Sequence, residues 1–174
     1  IAEGVKRTKP QFSIKLLKAN RSFIIFLVAI FVFGLGALPI PLLLLRAPEI
    51  GLKIANVPLF YFVYSISFVL AAVPLGKLSD RIGKRRVIAF GFFVAVAAYA
   101  GLGVTQGFAA LACMFALLGV YGAATDGITR ALASQLVSAE FLATGQGLLN
   151  AATGISALLA GGIGGALWSY INSS

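Results

Sequence analysis

Long uncharged apolar runs alternate with short polar and basic segments along this chain, and that alternation is its dominant signal. A helix rises about 1.5 Å per residue, so a hydrocarbon layer about 30 Å thick takes roughly 20 apolar residues to cross. Five stretches reach that length, at about 23–45, 57–76, 87–104, 107–125 (continuing toward 137) and 147–170. The third and fourth belong to one uncharged run, too long for a single ordinary crossing. Gly103 and the Thr105-Gln106-Gly107 step favour a turn within it, which predicts a tight helical hairpin. The expected fold class is an all-α polytopic membrane protein. A bundle of five transmembrane helices over 22–174 follows a basic, amphipathic lead-in at 1–21.

Composition sharpens this reading. Hydrophobic residues make up 60% of the chain and charged residues 11%, against about a quarter charged in a soluble domain. A soluble protein of this size could not hide so much apolar surface, so the lipid bilayer is the expected partner. The net charge of +9 would ordinarily suggest nucleic acid. Here the bases cluster between apolar runs, as membrane topology demands, and no nucleic-acid partner is expected. Lys6, Arg7, Lys9, Lys15, Lys18 and Arg21 precede the first crossing, and Lys77, Arg81, Lys84, Arg85 and Arg86 follow the second. The segment after the first crossing carries only Arg46 and Lys53, with Glu49. Positive-inside counting therefore puts the N-terminus and the 76–86 loop in the cytoplasm.

The candidate chemistry is sparse. Histidine is absent, which removes the commonest general base and His-based metal sites. Cys113 is the only cysteine, so no internal disulfide forms. The acids are Glu3, Glu49, Asp80, Asp126 and Glu140, and no catalytic constellation emerges from them. No enzyme activity, cofactor or metal is expected. The chain begins at Ile1 rather than Met, which fits a segment of a longer protein.

Two helix features have two readings each. Pro39 and Pro41 near the outer end of the first crossing either bend a helix that opens a cavity or simply end it. Gly161 and Gly165 share a helix face and permit close packing, either sliding or static.

The 76–86 loop is more specific. Gly76 and Gly83 allow a tight reversal, and Asp80 is a lone acid among bases, which topology alone does not explain. The pattern Gly76-x-Leu78-x-Asp80-Arg81-x-Gly83-x-Arg85-Arg86 resembles the signature loop of the major facilitator superfamily. The stretch Leu45-Arg46-Ala47-Pro48-Glu49-Ile50-Gly51-Leu52 is similar to the outer loop after the family's seventh helix, and residues 119–147 to its tenth helix and following loop. The resemblance implies helices seven to eleven of a C-terminal half, a partial half-domain whose partner is the missing N-terminal half. It implies a secondary active transporter of a small organic solute in a bacterial plasma (inner) membrane, working by alternating access. The alternative is a non-transporting scaffold or assembly subunit built on helix packing.

That resemblance makes Gly76, Asp80, Arg81, Gly83, Arg85 and Arg86 an inner-gate element. Asp126 lies 19 residues beyond Gly107, or about 28 Å along a helix, which places it at the inner edge of the hydrocarbon. Asp126 and Arg130 are spaced for a mutual ion pair, or Arg130 meets Asp80 across the cytoplasmic face. Tyr64, Ser67 and Tyr121 are candidate solute contacts, with hydrogen bonding between helices as the other role.

Overall fold

The structure, a computed structural model, describes residues 20–172, with side chains to residue 166. The basic lead-in up to Lys18 lies outside the described residues. Among the described residues, five segments are long and apolar enough to cross a membrane: Arg21–Leu43, Ile54–Ile82, Lys84–Val104, Phe108–Leu136 and Ala139–Ala166.

The first crossing is broken. Helix α1 (Arg21–Gly36) starts on Asn20, whose Oδ1 accepts from the Phe23 N–H at 3.1 Å. The Asn20 amide also donates to the Leu136 carbonyl, tying this end of α1 to a distant helix terminus. Helix α1 stops at Gly36, and Ala37 turns extended. Pro39 then caps the four-residue α2 (Ile40–Leu43), with Pro41 in its first turn, and α3 (Arg46–Glu49) follows. A proline lacks the donor a continuing helix needs and drives its predecessor out of the helical region. The freed Leu38 carbonyl accepts from the Tyr99 hydroxyl at 3.3 Å. The prolines thus end one helix and restart another.

Helix α4 (Val57–Ile82) runs straight through Gly76 and is followed after one residue by α5 (Lys84–Val104). Gly107, at φ +93°, opens α6 (Phe108–Leu136). Helix α7 (Leu142–Asn172) completes the described chain.

Helix α6 is the hub. It packs along α4 and α5, while α1 packs along α7, and smaller seams from α6 to α7 and α1 join the two groups. Without a hydrophobic drive between helices in lipid, small residues set the closest seams. A Cβ at Gly119 of α6 would meet the Tyr64 carbonyl of α4 and come within 2.8 Å of the Ser67 Cβ. A Cβ at Gly91 of α5 would come within 2.8 Å of the Ala124 Cβ.

Apolar clusters close both ends of the bundle. One holds Phe60, Leu102, Leu111, Phe115 and Leu118; at the other end lie Phe23, Ile30, Val137 and Leu149, with Val87, Ile88, Ile128 and Leu132 beside them. Outside, Leu70, Phe93 and Leu158 are 71%, 76% and 78% exposed. Large apolar side chains spread over the outer faces are the inverse of a soluble surface and match a lipid or protein covering.

Candidate functional site

The basic connection between α4 and α5 is mostly helix. Only Gly83 departs, at φ +98° and ψ 138°, a backbone conformation that costs an L side chain strain. Its N–H donates to the Ser79 carbonyl at 3.1 Å, and the buried Ser79 hydroxyl donates to the Gly76 carbonyl at 2.7 Å. Those bonds close the end of α4 and aim Asp80 outward. Lys84 Nζ then donates to Asp80 Oδ1 at 3.1 Å across the turn. Asp80 is therefore paired within its own connection and not with Arg130. The reason is proximity: Lys84 stands one helical turn away, across the Gly83 turn. Gly76, expected to share in the reversal, is helical, and a Cβ there would meet nothing within 4 Å.

The second feature is a cavity of about 320 Å³ among α1, α6 and α7, with Phe92 of α5 at its side. Asp126, Thr129 and Arg130 line it from successive turns of α6. Asn150, Thr153 and Ser156 line it from α7. Phe33 of α1 stacks on Phe92 at a centroid distance of 3.7 Å and meets the Tyr121 ring at 5.9 Å, giving the cavity an aromatic end. Gln146 braces the polar wall, donating to the Arg130 carbonyl at 2.8 Å and the Ser134 hydroxyl at 2.7 Å. Thr129 is 7% exposed, and its hydroxyl has no hydrogen-bond partner among the described residues. Asp126 and Arg130 are exposed to the cavity and form no ion pair with each other.

Two anchors give the depth of Asp126. Gly91 lies against Thr125, and Gly91 is five residues, about 7–8 Å, up α5 from Arg86. At the other anchor, Asn20 holds the Leu136 carbonyl, ten residues or about 15 Å beyond Asp126. Asp126 thus lies about 6 Å inside the level of Arg86, with Arg130 at about that level, somewhat deeper than counting from Gly107 suggests. The reason is the length of α6, 29 residues or about 43 Å, which exceeds the hydrocarbon thickness. A helix of that length need not begin at the edge of the layer, so Gly107 does not mark its start.

The model of the Major Facilitator Superfamily matches residues 14–173. The chain belongs to that superfamily. It is an integral membrane protein of a transporter family. An uncharacterised MFS-type transporter of Methanocaldococcus jannaschii is 33% identical over 108 residues, 62% of this chain and 27% of that protein. The chain thus spans well under two thirds of the curated relative it matches. No solved structure matches it.

Within this major facilitator bundle the candidate residues divide. Tyr121, Asp126 and Arg130 come together in the cavity. Tyr64 and Ser67 do not join them; they lie on the α4 seam, against Gly119 and Gly122. Gly161 makes ordinary contact with Pro39, and Gly165 faces open space. The tight glycine of α7 is Gly164, whose added Cβ would strike Leu38. Arg81, Arg85 and Arg86 are exposed around Gly83. Thr129, Phe33 and Phe92 are site residues that sequence reasoning passes over. The spacing of Asp126, Thr129 and Arg130 at i, i+3 and i+4 carries a signal for the first, since such residues share a helix face.

Proposed function

We propose that this chain is helices seven to eleven, part of the C-terminal half, of a secondary active transporter that moves a small organic solute by alternating access. The observation that carries this reading is the cavity inside the bundle, lined by an acid within the span of α5, a base one turn nearer the end of that span and an unpartnered hydroxyl. A static scaffold gains nothing from such groups, which are expensive there and mark solute or ion pathways. A missing N-terminal half would cover the exposed apolar faces and complete the site, and rocking of the two halves would expose it to each side in turn. The clustering of bases before the first crossing and around Gly83 supports a cytoplasmic N-terminus and a cytoplasmic Gly83 turn. Gly76, Asp80, Arg81, Gly83, Arg85 and Arg86 then form the cytoplasmic gate element.

The gate is tested in the full-length protein with Cys113→Ala and a reporter, Asn150→Cys, in the cavity. Adding Asp80→Asn should raise labelling of the reporter from the cytoplasmic side several-fold. Unchanged labelling would remove the gate role from this loop.

A further inference from the structure

We propose that the cavity among α1, α6 and α7 binds a zwitterion of amino-acid size with an apolar, ring-bearing body: Asp126 takes its ammonium, Arg130 its carboxylate, and the Phe33–Phe92–Tyr121 end its side chain. The proposal rests on the transporter reading and adds the class of solute.

Four observations converge on it. Asp126 and Arg130 stand one turn apart on the same wall, with the acid N-terminal to the base, the order that favours an i, i+4 pair. They nevertheless form no ion pair, and neither side chain has a hydrogen bond among the described residues. Opposite charges that line one cavity within each other's field but out of contact suit a ligand that carries the complementary pair. A solute bearing one charge would satisfy one group and leave the other desolvated and uncompensated, which a zwitterion avoids.

Thr129 supplies the second observation. The residue lines the same cavity, and its buried hydroxyl lacks a partner. Buried hydroxyls are almost always satisfied, so an orphan between an acid and a base points to a group that arrives with the ligand.

The third is the opposite wall. Thr153 spends its proton on the Leu149 carbonyl at 3.0 Å or the Asn150 carbonyl at 3.1 Å. Its oxygen is then left to the cavity as an acceptor, which suits an ammonium. The Asn150 amide has no hydrogen bond among the described residues and can donate and accept.

The fourth is size and polarity. A volume of about 320 Å³ lies at the lower end of ligand pockets, which run from about 300 to 1,000 Å³. The aromatic cluster lies apart from the charged turn, so an amphipathic ligand has one way to lie.

Three radiolabelled probes with one phenylethyl body and different charges decide the matter: L-phenylalanine, phenethylamine and 3-phenylpropionate. Equilibrium binding to the purified full-length protein should favour L-phenylalanine at least tenfold over each of the others. Asp126→Asn should erase the preference over 3-phenylpropionate while keeping that over phenethylamine. Arg130→Gln should do the reverse. Asp126→Glu and Arg130→Lys, which keep the charges, should retain the ranking and control for folding. The zwitterion site is overturned if the probes bind within twofold of one another, or if none binds saturably. It is also overturned if both neutralising variants weaken all three equally and lower the melting temperature, the signature of an internal ion pair. Two-sided labelling of the cavity separates the layers of the account: alternation without a zwitterion preference sinks the solute class alone, and absence of alternation sinks the transporter reading.

Discussion

Asp126 and Arg130 face one cavity from consecutive turns of α6 without pairing with each other. On an exposed helix that spacing would give an ion pair worth a few tenths of a kcal/mol. Here Asp126 sits about 6 Å inside the level of Arg86 and Arg130 at about that level, beside a hydroxyl that lacks a partner. The buried hydroxyl without a partner is a cost to folding, and a transported ligand is what would offset it.

Thr129→Val separates that cost from its use. The change keeps the shape and removes the orphan hydroxyl, whose burial without a partner costs about 1–3 kcal/mol. Melting temperature in detergent should hold or rise, while solute affinity falls several-fold. A drop in melting temperature would show that the hydroxyl is satisfied within the protein.

Gly119 should be the least tolerant helical glycine. A Cβ there would meet the Tyr64 carbonyl and reach 2.8 Å from the Ser67 Cβ and 2.9 Å from the Phe68 nitrogen. Backbone atoms cannot step aside, so Gly119→Ala should cost about 1–3 kcal/mol as an overpacked seam. Gly103→Ala, with nothing within 4 Å of the new atom, should be neutral or slightly stabilising. Denaturation of both variants in detergent checks the contrast.

The two loop glycines should behave differently from each other. Gly83→Ala places a side chain at φ +98° and should destabilise by about 1–2 kcal/mol. Gly76→Ala should leave the stability of this half unchanged, because its surroundings are open. Loss of transport by Gly76→Ala at normal folding would report a contact with the other half.

Asp80 should matter more for motion than for stability. Its carboxylate is 73% exposed and pairs with Lys84 across one turn, an arrangement worth about 0–1 kcal/mol and weakened by salt. Asp80→Asn should therefore barely shift the melting temperature while impairing transport. A large loss of stability would make Asp80 a structural residue.

The membrane-spanning helical architecture and the family were legible in sequence because both signals are local: apolar run length for one, an eleven-residue pattern for the other. The cavity was not, because Phe33, Asp126 and Asn150 come from three helices far apart in the chain, and no periodicity reports how those helices rotate. Rotation also decides Gly164 against Gly165: one residue is about 100° of helix, enough to turn a contact into open space. The 76–86 segment misleads in a different way. Its basic residues look like a loop, yet they extend helix ends past the hydrocarbon, and only Gly83 leaves the helical conformation. The depth of Asp126 depended on Gly91 meeting Thr125, a contact between helices that counting along one helix cannot supply.

The central claim is that the cavity opens to each side of the membrane in turn. The direct measurement is the rate at which a membrane-impermeant thiol reagent labels Asn150→Cys, in a Cys113→Ala background of the full-length protein, from outside in whole cells and from inside in inverted vesicles. Alternating access requires labelling from both sides, with conditions that raise one rate lowering the other. Labelling from one side only under all conditions, or from neither, would contradict it.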